Sequence, residues 1–284
     1  MKHYNDRPLA YARIPARAPG AAARFAEDAL GLERADGEDV AMRADERRRT
    51  LVFDRETAVP AVGIEVSDEA MLAQIAARLR AAGYPCAEFD AQACARRSIR
   101  QGIVAHEPSG CAVEIVIRVE LSARRFHPSR DSGVVGFSAV GLRSRDIDRD
   151  LAFWTDIIGA EISDRVGDIA YLRLDRAHHR IALYPSDRSG LLYVSFAVRT
   201  HDDLMRNVYF LQERQIRIVH GPGCETASGR MFVRFLAPDG QLFMLEFGED
   251  EGASGRRPRQ FALDRYALCA WGSPCRDVPE LAAA

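Results

Sequence analysis

The stretch VGFSAVGLRSRDIDRDLAFWTDIIGAE, residues 135–161, decides how the rest of the chain is read. It begins as a strand: Val140 and Leu142 alternate with Ala139, Gly141 and Arg143, the period of two of a half-buried strand. It ends as a helix. Asp146 stands where an N-cap belongs, able to accept from the free N–H groups of a first turn. Leu151, Phe153, Trp154, Ile157 and Ile158 then share one side at helical spacing, and Gly159 supplies the stop.

The same words occur earlier. Residues 25–33, FAEDALGLE, and residues 153–161, FWTDIIGAE, both read F-x-x-D-x-x-G-x-E. VGIEVSDEAML (62–72) answers VSFAVRTHDDL (194–204), and HEPSG (106–110) answers LAPDG (236–240), in the same order and at nearly the same spacing. Three matched landmarks in order point to one unit duplicated.

Bulk properties narrow the class. The chain has 284 residues, suiting one or two domains, and its hydrophobic content of 47% is ample for a packed core. A net charge of −2 argues against a nucleic-acid partner held by electrostatics. The start, MKHYNDRPLAY, lacks the apolar stretch of a secretory leader, and no apolar run approaches membrane-spanning length. A cytoplasmic protein is expected, with its six cysteines as free thiols, since none form a C-x-x-C pair.

Taken in order, the chain reads as four units, each a strand, a helix and then further strands. Ala10–Ala16 is a first strand, weakened by Pro15; a helix opens at Pro19 and closes at Gly31; strands follow at 39–44 and 50–54. AVGIEV (61–66) starts the second unit. Ser67 and Asp68 cap a helix with Leu72, Ile75, Ala76 and Leu79 on its apolar face, and strands near 99–105 and 111–118 close it. Residues 119–133 read as a polar linker. The later half repeats the plan: strand 136–143, helix 147–158, strands 169–174 and 180–184, strand 191–198, helix 201–213, strands 230–236 and 241–247. EDEGASGRRPR (249–259) reads as mobile, and the tail beyond it, with Tyr266, Trp271 and Pro274, as a segment that docks through its aromatics. The class is α+β, with helices on one face of curved sheets, and a cleft inside such a sheet suits a small ligand.

Four βαβββ units punctuated by F-x-x-D-x-x-G and x-P-[SD]-G resemble the vicinal oxygen chelate (glyoxalase/bleomycin resistance/dioxygenase) superfamily. Within it the chain is most similar to the two-domain type I extradiol dioxygenases. The resemblance covers about residues 8–248 and is clearest in AMLAQIAARLRAAGYP (70–85), ARRSIRQGIVAHEPSG (95–110), DRAHHRIAL (175–183) and EFG (246–248). It implies two domains, each an open antiparallel β-barrel with outer helices. The boundaries would be 1–120 for the first, 121–133 for the linker, 134–248 for the second and 249–284 for the tail.

The resemblance also implies a metal centre in the second domain, where two histidines and one glutamate hold Fe(II) and leave positions for a catecholate and dioxygen. Carried over residue by residue, the first histidine position falls on Ala139, with Ser138 beside it; the second falls on Tyr193; the glutamate falls on Met244 or Glu246. No imidazole and at most one carboxylate remain, so no metal ligands are assigned and no cofactor is expected, Fe(II) entering only if the triad has been misplaced. The family's acting histidine corresponds to His179 of the His178–His179 pair, read as adjacent strand residues of which one faces the pocket and the other away. A further family histidine is replaced by Glu225 and an active-site tyrosine by Arg234.

His179, Tyr193 and Arg234 are therefore the residues expected to act on a ligand. His179 has the near-neutral pKa of an acid–base group. A guanidinium inside a barrel must be paired, by Glu225 or Glu246, or else bind a ligand anion. Ala139, Arg143, His178, His220, Glu225, Met244 and Glu246 complete the expected lining. Three functions stay open: a metal-independent enzyme acting on a small aromatic or phenolic molecule, a binding protein without turnover, and an Fe(II) ring-cleaving dioxygenase with displaced ligands. A homo-oligomer is expected, with neither nucleic acid nor membrane as partner.

Overall fold

The computed structural model describes residues 8–37, 40–131, 133–248 and 256–283. The first unit runs β1 (Leu9–Pro15), α1 (Pro19–Phe25), β2 (Glu33–Arg34), β3 (Val40–Arg43) and β4 (Leu51–Asp54). Helix α1 continues as a wider turn over Ala26–Leu30, stopped by Gly31 in the left-handed conformation (φ 72°). The second unit runs β5 (Ala61–Val66), α2 (Glu69–Ala81), β6 (Cys86–Glu88), α3 (Ala91–Arg97), β7 (Ile99–His106) and β8 (Ala112–Val119). Asp68 caps α2 by accepting from the Met71 N–H at 2.8 Å.

The later half repeats this as β9 (Val134–Ser144), α4 (Ile147–Ala152), β10 (Glu161–Val166), β11 (Ile169–Arg173), β12 (Ile181–Pro185), β13 (Gly190–Val198), α5 (His201–Glu213), β14 (Ile218–Cys224), β15 (Met231–Leu236) and β16 (Leu242–Phe247). Helix α4 widens over Phe153–Ile158 and ends at Gly159 (φ 82°), the counterpart of Gly31. The tail adds β17 (Arg259–Phe261) and α6 (Pro279–Ala283). Strands β2, β6, β10, β14 and β17 and helices α3 and α6 were not expected from periodicity; β14 carries Gly221, Pro222 and Gly223, which mask a strand signal.

Two open sheets result, ordered β2-β3-β4-β1-β5-β8-β7-β6 and β14-β15-β16-β13-β9-β12-β11-β10-β17. They are mixed rather than purely antiparallel. Each unit's opening strand runs parallel to its closing strand (β1 with β4, β5 with β8, β9 with β12, β13 with β16), because the helix returns the chain to the same end of the sheet. The convex faces share one continuous core across both sheets: Phe25 of α1 packs on Phe235 and Phe243, and Tyr84 packs edge-on against Phe153. The turn at 107–110 is clamped to α4. Buried Asp150 accepts from the Ser109 N–H at 2.9 Å and from the Ser109 and Ser144 hydroxyls, and the Trp154 indole donates to Glu107 at 2.7 Å.

The concave faces carry separate, smaller clusters. On the first sheet, Tyr11 lies over Gly63 and donates to Glu114, which Arg97 grips with two bonds of 2.7 and 2.8 Å. On the second, Val166, Tyr171, Tyr184, Tyr193, Phe232, Leu242 and Met244 pack with Ala267, Leu268 and Cys269 of the tail. The tail therefore docks on the concave face. It does so through small and aliphatic residues, while Tyr266 and Trp271 stay 53% and 51% exposed, contrary to the expectation that its aromatics anchor it. Of the stretch read as mobile, residues 249–255 lie outside the described residues, and Arg256 and Arg259 are paired with Asp164.

Candidate functional site in the second sheet

Two buried polar groups occupy the concave face of the second sheet. The first is built on Glu246 of β16. Its Oε1 accepts from the Ser138 hydroxyl; its Oε2 accepts from the Ser195 hydroxyl at 2.6 Å and from Arg230 Nη1 at 2.6 Å. All four residues are at most 4% exposed. Ser138 reaches this point through a bulge. Ser195 of β13 lies opposite Ala139 and Phe196 opposite Phe137, so Ser138 is an extra residue with no partner of its own. Counting back from the Asp146 cap ends on Ala139, a buried methyl with no polar role, because a count does not register that bulge.

The histidine pair continues the group. His178 and His179 lie in the loop between β11 and β12, both fully buried, and their rings meet Nδ1 to Nδ1 at 3.0 Å. They do not point to opposite sides of a strand, since no strand includes them. His178 Nε2 lies 2.8 Å from Asp164 and His179 Nε2 lies 3.4 Å from Arg230 Nη1. One proton assignment satisfies every contact. Arg230 donates to His179 Nε2, His179 Nδ1–H donates to His178 Nδ1, and His178 Nε2–H donates to Asp164. Both rings are then neutral. Burial, reinforced by Arg230, holds the His179 pKa well below its ordinary value; burial also lowers that of His178 against the pull of Asp164. Asp164 is further bound by Arg259 at 2.5 Å and Arg256 at 3.2 Å.

The second group is centred on Arg234 of β15. Its Nη2 donates to Glu225 at 2.5 Å and its Nη1 to Glu280 of α6; its Nε faces the Met244 sulfur at 3.3 Å. The pairing expected from sequence is thus made by Glu225 together with a tail residue, not by Glu246. The guanidinium also lies over the rings of Phe232 and Tyr193, at 4.5 and 4.8 Å. His220 donates from Nδ1 to Glu280 (2.8 Å) and from Nε2 to the Ser273 carbonyl (3.1 Å), which requires the imidazolium form. Burial opposes that charge, but hydrogen bonds to Cys269 and Glu280 push the His220 pKa up to about 9. Glu280, despite burial, is held down to about 2 by Arg234 and His220. Tyr193 packs over Gly141, where a Cβ would come within 2.3 Å of its ring. The hydroxyls of Tyr193 and Tyr184 are buried beside each other and reach no well-formed hydrogen bond among the described residues, and burial raises both pKa values well above the ordinary phenol.

The structure thus brings His178, His179 and Glu246 into one group, and Tyr193, Arg234, His220, Glu225 and Met244 into the other. Arg143 joins neither: it lies opposite Gly190, with Arg188 and Asp187 as its charged neighbours. Ser138, Ser195, Arg230, Asp164 and Glu280 were not expected from sequence as site residues. The two serines had a faint signal, a small hydroxyl on each of two otherwise apolar strands. Arg230 and Glu280 had none.

This donor set does not fit the Fe(II) centre implied by the family resemblance. Two neutral hydroxyls replace imidazoles, both oxygens of the one carboxylate are engaged, and a guanidinium is held against it, where its charge repels a dication. Among the described residues no group of three or more His, Cys, Asp or Glu is arranged to hold a metal ion.

Comparison with known proteins gives a consistent picture. Residues 136–245 match the model of the Glyoxalase/Bleomycin resistance protein/Dioxygenase superfamily. An iron-dependent extradiol dioxygenase of Rhodococcus jostii (strain RHA1) is 25% identical over 94% of this chain and 96% of its own length. A biphenyl-2,3-diol 1,2-dioxygenase of Paraburkholderia xenovorans (strain LB400) is 32% identical over 43% of this chain and 46% of its own. The crystal structure of a halotolerant catechol dioxygenase superposes with a TM-score of 0.85 at 18% identity, covering 95% of each chain.

Proposed function

We propose, for a chain whose residues 136–245 are a domain of the Glyoxalase/Bleomycin resistance protein/Dioxygenase superfamily, an extradiol-dioxygenase-like protein that works without Fe(II) and receives a small aromatic or phenolic molecule in its second sheet. The observation that carries this reading is the state of Glu246. Its carboxylate is saturated by Ser138, Ser195 and Arg230, and the Arg230 cation supplies internally the charge a metal would bring. The aromatic ligand class rests on the concave lining of Tyr171, Tyr184, Tyr193 and Phe232 and on the biphenyl diol for which the Paraburkholderia relative is named.

Binding without turnover is favoured by the histidines. Both nitrogens of His179 are engaged, so no basic lone pair faces an opening. A metal-independent reaction is favoured by the buried hydroxyls of Tyr184 and Tyr193, which reach no well-formed hydrogen bond among the described residues and could exchange a proton with a bound phenol. A homo-oligomer in the cytoplasm completes the proposal, with light scattering on purified protein as its check. No helix among the described residues is long and apolar enough to cross a membrane.

The test is metal analysis with an activity assay. Purified protein, incubated anaerobically with Fe(II) and desalted, should carry far less than one iron per chain. It should give no yellow ring-opened product from catechol or 2,3-dihydroxybiphenyl in air. Stoichiometric iron together with ring opening would overturn the reading.

A further inference from the structure

Glu280 is an odd occupant of its position. It belongs to a helix of five residues at the end of the tail, yet its carboxylate is fully buried against the concave face of the second sheet. A single oxygen, Oε1, takes both Arg234 Nη1 and His220 Nδ1, while Oε2 is buried and meets no hydrogen-bond donor among the described residues. A carboxylate that uses one of its two oxygens in a dry site is poorly matched to it. Around it stand groups with unused capacity: the buried hydroxyls of Tyr184 and Tyr193, and the flat faces of Tyr193 and Phe232 beneath the Arg234 guanidinium. The charges are Arg234 and His220, positive, against Glu225 and Glu280, negative. Without Glu280 the site keeps the Arg234 cation, and one N–H of Arg234 and one of His220 are aimed at the same vacated point.

We propose that this is a binding site for a small aromatic carboxylate, and that Glu280 is a built-in substitute for the ligand's carboxylate, displaced with the tail when ligand enters. The ring of the ligand takes the place beside Tyr193, Tyr184 and Phe232. One of its carboxylate oxygens takes the Arg234 and His220 donors, and the other meets the tyrosine hydroxyls that Glu280 leaves unused. The inference deepens the reading above by naming the ligand class, and rests on it for the aromatic part alone.

The test uses the 284-residue chain, with benzoate as probe and benzamide, its uncharged analogue, as control, by titration calorimetry. Glu280→Ala should bind benzoate at least tenfold more tightly than the native chain, with no comparable gain for benzamide, and adding Arg234→Met to Glu280→Ala should remove the gain. In the native chain, saturating benzoate should speed amide exchange across residues 259–283. Equal benzoate affinity in Glu280→Ala and the native chain overturns the proposal. So does an equal gain for benzamide. If Glu280→Ala does not fold, the native chain decides: exchange in the tail unchanged at saturating benzoate overturns it as well. Iron content measured on the same samples separates the two readings, since a benzoate gain in an iron-loaded protein would sink the metal-free function and leave this site standing.

Discussion

The Arg230 guanidinium and the Glu246 carboxylate meet at 2.6 Å inside the second sheet, with Arg230 wholly buried and Glu246 at 2% exposure. The first sheet repeats the arrangement with Arg97 and Glu114. In each half a glutamate on a closing strand is neutralised by an arginine of the same half.

Removing one partner of such a pair strands the other charge in a dry interior, which costs about 3–5 kcal/mol. Arg230→Met is expected to lower the unfolding free energy by that amount in urea titrations. The double variant Arg230→Met/Glu246→Leu is expected to lose less than the single one, because no charge is left unpaired. Equal losses would mean that the two side chains are not coupled.

His220 gives the docked tail a pH dependence. Its folded pKa of about 9 lies above the ordinary 6.5, so its stabilisation is complete below 6.5 and is lost as pH rises through 9. The shift corresponds to a loss on the order of 3 kcal/mol. His178 and His179 act in the opposite sense: with lowered pKa values they leave the folded state weaker as pH falls below 6.5. Unfolding curves of the native chain and His220→Gln between pH 6 and 10 should converge as pH rises. A constant difference would exclude His220 as the titrating group.

Glu107 is pushed up to about 8 by burial and by Asp150, while its Oε2 accepts from the Trp154 indole at 2.7 Å. Ionisation next to a buried indole alters its emission. Trp154 fluorescence, read in a Trp271→Phe background, is expected to titrate with a midpoint near 8, and Glu107→Gln to abolish the step. A flat profile in the parent would refute the assignment.

Asp150 ties the 107–110 turn of the first half to helix α4 of the second, and each hydrogen bond to its charge contributes roughly 1.5–3 kcal/mol. Asp150→Ala is expected to destabilise the chain by about 3 kcal/mol or more, and Asp150→Asn by less, since the amide oxygen still accepts. Calorimetric unfolding of the three proteins decides the order.

The amino-acid sequence by itself determined the repeat and most of the elements. Strand and helix periods, the caps at Asp68 and Asp146 and the stops at Gly31 and Gly159 are local features, set by residues within a turn or two of each other. What only the tertiary structure decided is which side chains meet. Ser138 replaces Ala139 at the Glu246 carboxylate because a bulge shifts the register by one residue, and no local pattern marks a bulge. His178 and His179 touch because they lie in a loop, where strand alternation does not apply. Arg230 finds Glu246, and Arg234 finds Glu280, across 16 and 46 residues of chain. Such pairings follow from burial, which obliges a charge to find its opposite wherever the fold places one, and sequence spacing carries no record of that.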